Sequence, residues 1–134
     1  MEYAIGVILG VIIAGPTTAI GFARDRSFYP TVLIVVASYY ALFAVMGGST
    51  RTIAAELVPM VLFIGLAVVG YQRSGWFVAF GLIGHAVFDC FHGHVIENRG
   101  MPVWWPGFCL SIDFTLGGFL AAYLLRERRK SGAS

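Results

Sequence analysis

Five long apolar runs constrain the fold of this chain more than any other feature of its sequence. A helix needs about 20 mostly apolar residues to cross the hydrocarbon of a bilayer. Because the linkers between the runs are short, consecutive helices are expected to lie antiparallel. The sequence therefore predicts an all-α, polytopic membrane helix bundle over residues 1–125, with a basic tail over 126–134. Its five transmembrane helices are predicted at 3–22, 30–46, 52–71, 76–95 and 106–125.

Composition agrees with a membrane protein and argues against two other classes. Hydrophobic residues make up 58% of the chain and charged residues only 12%, whereas soluble domains carry about 25% charged residues. A length of 134 residues leaves no room for a separate soluble module. The basic residues form one short tail instead of a patch interleaved with aromatic residues, which argues against nucleic-acid binding. Met1-Glu2-Tyr3 has no basic residue, so the first run is expected to be a retained membrane helix, not a signal peptide.

The distribution of basic residues predicts the orientation of the bundle. If the N-terminus lies outside, only Arg51 and Arg99 remain on the outer side of the membrane. The cytoplasmic side then carries seven basic residues, namely Arg24, Arg26, Arg73, Arg126, Arg128, Arg129 and Lys130. Loops on the cytoplasmic side are enriched in Lys and Arg. We therefore predict an outside N-terminus and a cytoplasmic C-terminus.

Ionisable residues in the predicted helices concentrate towards one side of the membrane. In the fourth helix, His85, Asp89 and His92 have the spacing i, i+4, i+7, which places them on one stripe. In the third and fifth helices, Glu56 and Asp113 lie about one and two turns from the outer end. In the predicted topology all five residues lie in the outer half of the bilayer. The sequence therefore predicts one polar site shared by three helices.

The residue types in this set indicate a metal site. Imidazole nitrogens and carboxylate oxygens together suit Zn, Fe or Mn. We predict His85, Asp89 and His92 as metal ligands of a divalent ion, and Glu56 and Asp113 as catalytic acid or base groups or as further ligands. A polar network that only fixes helix packing is the alternative explanation.

Further candidates lie next to this set. His94 follows His92 but points about half a turn away from His85, and Cys109 shares a helix face with Asp113 through the i, i+4 spacing. In the first helix, small residues recur at Gly6, Gly10 and Ala14, a pattern that allows close helix packing. Such glycine-rich faces would also permit a homodimer.

The stretches GHAVFDCFHGH and VWWPGFCLSIDFTLGGFLAAYL resemble a family of small bacterial multi-pass membrane proteins of unassigned function. In that family a His-x3-Asp-x2-His helix is followed by a Pro…Cys-x3-Asp helix. The resemblance covers the last two predicted helices, and the His-Gly-His sequence departs from a form with adjacent histidines. It implies a bacterial inner (cytoplasmic) membrane location and site roles for His85, Asp89, His92, Cys109 and Asp113.

Three kinds of function would use such a site. The first is a metal-dependent membrane enzyme, a hydrolase or an oxidoreductase, that acts on a lipidic or small apolar substrate. The second is a transporter subunit for protons or metal ions. The third is a haem-binding electron-transfer subunit, which would need a ligand from a partner chain because all three histidines share one helix. A retinal Schiff base is excluded, since the sole lysine, Lys130, lies in the tail.

Overall fold

The chain folds into five α-helices, as seen in a computed structural model that describes residues 1–132. The helices are α1 (Glu2–Ala19), α2 (Phe28–Met46), α3 (Thr50–Gln72), α4 (Gly75–Val95) and α5 (Trp105–Gly132). A short 3-10 turn (Phe22–Arg24) connects α1 to α2. Each of the five α-helices is long and apolar enough to span a membrane. The predicted all-helical fold with five apolar helices is therefore confirmed.

Helix α5 continues past its predicted end into the basic tail. Residues 126–132 stay helical with exposed side chains. Lys130 pairs with Glu127 across 3.4 Å at the i, i+3 spacing, and Arg, Glu and Lys are good helix formers. No proline follows Pro106 in this segment to stop the helix. The last two residues of the predicted tail, 133 and 134, lie outside the described part of the chain.

Serine side chains define where two helices begin. Ser49 accepts a hydrogen bond from the backbone N–H of Thr52 at the start of α3, and Ser74 accepts one from Trp76 at the start of α4. Such N-caps satisfy backbone donors that have no partner inside the helix. Within α3, Pro59 has no N–H, so the helix cannot make its usual bond to the carbonyl of Ala55.

The helices pack in the order α1, α5, α4, α3, α2, and α2 also touches α4. The small residues of α1 form its interface with α5: a Cβ added at Gly6 would overlap Ser111, and one at Gly10 would come within 2.8 Å of Thr115. Ala14 on the same stripe is fully buried. The structure thus confirms close helix packing at these positions.

The two ends of the bundle differ in charge. At one end, which we call the tail end, arginines 24, 26, 73 and 128 line a common cavity. At the other, the groove end, Arg51 and Arg99 line a groove between the α2–α3 and α4–α5 loops. The uneven distribution of basic residues along the sequence therefore corresponds to a difference in the number of arginines lining the cavities at the two ends of the structure.

Candidate functional site

The five predicted site residues all lie in the interior of the bundle. Helix α3 supplies Glu56, α4 supplies His85, Asp89 and His92, and α5 supplies Asp113. Each residue is at most 3% exposed. Among residues 1–132, no lysine or arginine forms an ion pair with any of these acids, whose only such partners are the two histidines. Buried acids are costly unless they are paired or neutralised, and the groups positioned to offset their charge are the two histidines and any cation bound between them.

His85, Asp89 and Asp113 form a group with the geometry of a metal site. The Nδ1 atom of His85 is hydrogen-bonded to Oδ2 of Asp113 at 2.7 Å and lies 3.6 Å from Oδ2 of Asp89. One ligand atom from each of the three residues lies within 4.8 Å of the others. Two neighbouring ligands bound to one ion at about 2.0–2.2 Å are separated by about 2.8–3.6 Å in octahedral or tetrahedral geometry. This buried group could therefore hold a metal ion.

Two oxygens in this group lack hydrogen-bond partners among the described residues. They are Oδ2 of Asp89 and Oδ1 of Asp113, and both are buried. A buried carboxylate oxygen without a partner loses its hydration and gains nothing in return. A bound cation would satisfy both oxygens and offset the two negative charges. The donor set thus fits a divalent ion.

His92 belongs to a second cluster, with Glu56 and Asn98. Its Nε2 lies 2.8 Å from Oε1 of Glu56, and the Nδ2 of Asn98 donates to the same oxygen at 2.8 Å. The Nδ1 of His92 is buried with no hydrogen-bond partner among the described residues. The sequence predicted His92 as a ligand together with His85 and Asp89. The structure instead brings Asp113 to that pair and places Glu56 against His92.

Tyr40 of α2 links the two clusters. Its hydroxyl donates to Oδ1 of Asp89 at 2.5 Å, a short bond of the kind made to charged acceptors. Its ring stacks on His92, with centroids 3.9 Å apart and planes 13° from parallel. Its backbone carbonyl accepts from the side chain of Asn98 at 3.0 Å. From the sequence, Tyr39 and Tyr40 are expected to be packing aromatics of which one hydroxyl could reach the site, because α2 contains no histidine or charged residue that would indicate a polar partner.

Asn98 also belongs to this site, although the sequence prediction did not include it. A close contact between two backbone segments determines its position. The α4–α5 loop lies directly on the end of α2: a Cβ at Gly100 would overlap the carbonyl of Phe43, and one at Gly47 would lie 2.9 Å from the nitrogen of Gly100. This contact holds the loop against the bundle, where Asn98 is 8% exposed and reaches Glu56. No motif in the sequence predicted this contact.

A groove lies next to the Glu56–His92–Asn98 cluster at this end of the bundle. It has a volume of about 760 Å³ and is lined by Asn98, Ala55 and Thr52 together with residues of both loops. Ligand pockets commonly have volumes of about 300–1,000 Å³. Asn98 lines the groove and also donates a hydrogen bond to Glu56, so this one side chain connects the groove wall to the Glu56–His92 pair.

The remaining candidates lie apart from His85, Asp89 and Asp113, which we call the metal group. His94 and Cys90 are exposed. Cys109 is buried one turn before Asp113, and within residues 1–132 the group with metal-site geometry consists of His85, Asp89 and Asp113 without it. No protein-family model, curated protein sequence or solved structure matches the chain. Its function is therefore inferred from the geometry of the site.

Proposed function

We propose that this chain is a multi-pass membrane enzyme that binds one divalent metal ion at His85, Asp89 and Asp113. The observation that carries the proposal is the convergence of one imidazole and two buried carboxylates, two of whose oxygens have no hydrogen-bond partner among the described residues. Mixed nitrogen and oxygen donors favour Zn, Fe or Mn over Mg or Ca. Three protein ligands leave coordination positions for water or substrate, as in catalytic metal sites.

The Glu56–His92 pair is proposed to handle protons for the reaction. When bound, a divalent ion supplies Lewis-acid chemistry that polarises a substrate oxygen. Nε2 of His92 is hydrogen-bonded to Glu56, and this bond selects the tautomer and orients the ring. The unpartnered Nδ1 of His92 is then the atom available to take or give a proton. Asp113, which the sequence predicted either as an acid or base or as a further ligand, is assigned to the metal.

Tyr40 is proposed as a positioning residue between the metal group and the proton-handling pair. Its hydroxyl fixes Asp89 and its ring fixes the plane of His92. Substrate would enter from the groove end, past Asn98. A lipidic or small apolar substrate fits this setting, since bulky apolar side chains cover much of the outer surface of the bundle, among them Val58, Val61, Phe91 and Val95.

The orientation of the bundle is also a proposal. The excess of arginines at the tail end supports a cytoplasmic tail and an outer position for the groove. The resemblance of the last two helices to small bacterial membrane proteins supports a bacterial inner membrane. A green fluorescent protein fused to the C-terminus should fluoresce, whereas an alkaline phosphatase fused there should be inactive. The opposite pair of results would reverse the orientation.

Transport of protons or metal ions is the second candidate function. The observation in its favour is the succession of polar side chains from Asn98 at the groove through Glu56 and His92 to Tyr40 and the metal group. His92 and Tyr40 meet by ring stacking, so the hydrogen bonds described here do not form an unbroken chain. Proton or metal flux into liposomes that is abolished by Asp89→Asn would favour transport over catalysis.

Elemental analysis of detergent-purified protein tests the metal site directly. We expect about one divalent metal per chain in the wild type, and loss of that metal in His85→Ala and in Asp113→Asn. His94→Ala is the matched control, because His94 lies on the same helix but is exposed; it should retain the metal. A wild-type protein that binds no metal after equilibration with Zn²⁺, Mn²⁺ and Fe²⁺ would overturn the proposal. Equal metal loss in His94→Ala would return that residue to the ligand set.

A further inference from the structure

A second cavity, at the tail end, is unrelated to the metal group. It has a volume of about 370 Å³ and lies where α2 and α4 begin and where α5 leaves the bundle. Its lining contains four arginines, Arg24, Arg26, Arg73 and Arg128, and a single carboxylate, Asp25. These residues come from three separate parts of the chain, so the folding of the chain brings their positive charges together around this cavity.

The arginines of this cavity are not neutralised by carboxylates. Within residues 1–132, none of the four has an acidic oxygen within 4.0 Å. Asp25 is engaged with Ser27, whose backbone N–H and hydroxyl donate to it at 3.1 and 2.8 Å. Both hydrogen bonds lower the pKa of Asp25 below its usual range, and the bond from the backbone N–H of Ser27 has the larger effect. The side chain of Arg26 donates to the carbonyl of Arg73 at 3.1 Å, which holds the two loops of the rim together.

The floor of the cavity is apolar except for the buried hydroxyl of Tyr29, in contrast to the charged rim. Tyr29, Pro30, Val78 and Leu120 are buried there, and Trp76 forms part of the wall. The first turns of α2 and α4 also lie at the cavity, and helix N-termini carry partial positive charge. A ligand that suits this cavity has an anionic group for the rim and tolerates an apolar surface beneath it.

We propose that this cavity binds a phosphate group, carried either by an anionic lipid headgroup or by a free phosphate ester. The guanidinium group presents its N–H donors in a planar fork that matches phosphate oxygens bidentately. The ends of membrane-spanning helices lie at the level of lipid headgroups, and a Trp such as Trp76 is common at that level. The inference is independent of the metal site, which lies in the other half of the bundle.

A diffuse attraction of basic residues to anionic lipids is the competing explanation, and the chain offers a matched control for it. Arg126 and Arg129 lie on α5 at the same end of the molecule and do not line the cavity. The double variant Arg24→Gln/Arg73→Gln and the double variant Arg126→Gln/Arg129→Gln each remove two positive charges from exposed positions. Both should therefore fold, and only the first removes charge from the cavity.

Native mass spectrometry of the full chain in mild detergent, titrated with phosphatidylglycerol or phosphatidylcholine, measures the lipid affinity. Each arginine near an anionic group contributes about 1 kcal/mol, or about fivefold in affinity. We expect Arg24→Gln/Arg73→Gln to weaken phosphatidylglycerol binding by about 30-fold, and Arg126→Gln/Arg129→Gln to weaken it by less than about threefold.

Inorganic phosphate distinguishes the two sources of the phosphate group. If millimolar phosphate leaves phosphatidylglycerol bound and phosphatidylcholine binds weakly, the ligand is the headgroup of an anionic lipid. If inorganic phosphate itself binds, displaces the lipid and loses its affinity in Arg24→Gln/Arg73→Gln, the ligand is a free phosphate compound. Equal weakening in both double variants, or no selective binding of either probe, would overturn the proposal.

Discussion

The two halves of the bundle interior are built from different kinds of side chain, although helices α2 to α5 contribute to both. Towards the tail end the core consists mainly of apolar residues, including Leu33, Val78, Leu82, Leu116 and Leu120. Towards the groove end the same helices and the α4–α5 loop bury three carboxylates, two imidazoles, a tyrosine hydroxyl and an amide. Between them, the ring of Phe63 contacts His85 edge-on, with centroids 4.9 Å apart.

The helices of the tail-end half pack with few buried polar side chains. In the tail-end half, close approach is achieved by small residues, as where Gly117 of α5 meets Ile83 of α4 and Gly81 meets Leu33. Packing of small and apolar side chains is sufficient for helix association in lipid. The acids of the groove-end half add an energetic cost that packing does not require. Their presence therefore supports a function at that end.

The largest effect is expected when an acid is moved into the apolar half. Leu116 is buried one turn from Asp113, so Leu116→Asp places a carboxylate where it has no histidine or metal partner. We expect it to lower the free energy of unfolding by about 3 kcal/mol or more, measured by denaturant titration in detergent. Leu116→Met, which conserves volume, should cost less than about 1.5 kcal/mol. Equal stability of the two variants would show that the halves do not differ in their tolerance of charge.

A cavity in the apolar half is expected to have the next largest effect. Leu82 is fully buried against the core, so Leu82→Ala should lower the free energy of unfolding by about 2–4 kcal/mol. Val87 lies on the same helix with half of its surface exposed, and Val87→Ala is therefore the control, with an expected cost below about 1 kcal/mol. Metal content should be unchanged in both variants, because neither residue belongs to the metal group. Similar losses at the two positions would mean that this half is loosely packed.

The helices and the level of the site could be predicted because they depend on local sequence. Apolar runs of spanning length define the helices, and short linkers force antiparallel order, which brings Glu56, Asp89 and Asp113 to one end. The pairing of acids with histidines could not be predicted in this way. It depends on how α3 and α5 are rotated about their axes, and contacts such as Gly117 on Ile83 set that rotation.

The roles of Tyr40 and Asn98 in the site could not be predicted from the sequence, for related reasons. A tyrosine in an apolar helix resembles any packing aromatic until its partner on another helix is known; for Tyr40 that partner is Asp89, 49 residues away. Asn98 lies in an irregular loop, and its position depends on the backbone contact between Gly47 and Gly100. Neither contact leaves a periodic pattern in the sequence.

The smallest expected effect comes from giving the groove-end half an apolar side chain of unchanged shape. Tyr40→Phe keeps the ring that stacks on His92 and removes only the hydroxyl that donates to Asp89. We expect a loss of about 1–2 kcal/mol in the free energy of unfolding and about a tenfold weaker metal affinity, because groups that orient a metal ligand tune its binding.

Tyr39→Phe is the matched control for this change. Tyr39 precedes Tyr40 on α2, is only partly buried, and packs through its ring on Trp105 and Phe43. Its variant should retain wild-type metal affinity, measured by competition with a chelator. If Tyr40→Phe also retains it while losing stability, the hydroxyl of Tyr40 serves packing alone and its proposed positioning role is wrong. If Tyr40→Phe changes neither the metal affinity nor the free energy of unfolding, its hydrogen bond to Asp89 contributes nothing measurable. The groove-end half would then depend less on its polar contacts than its composition suggests.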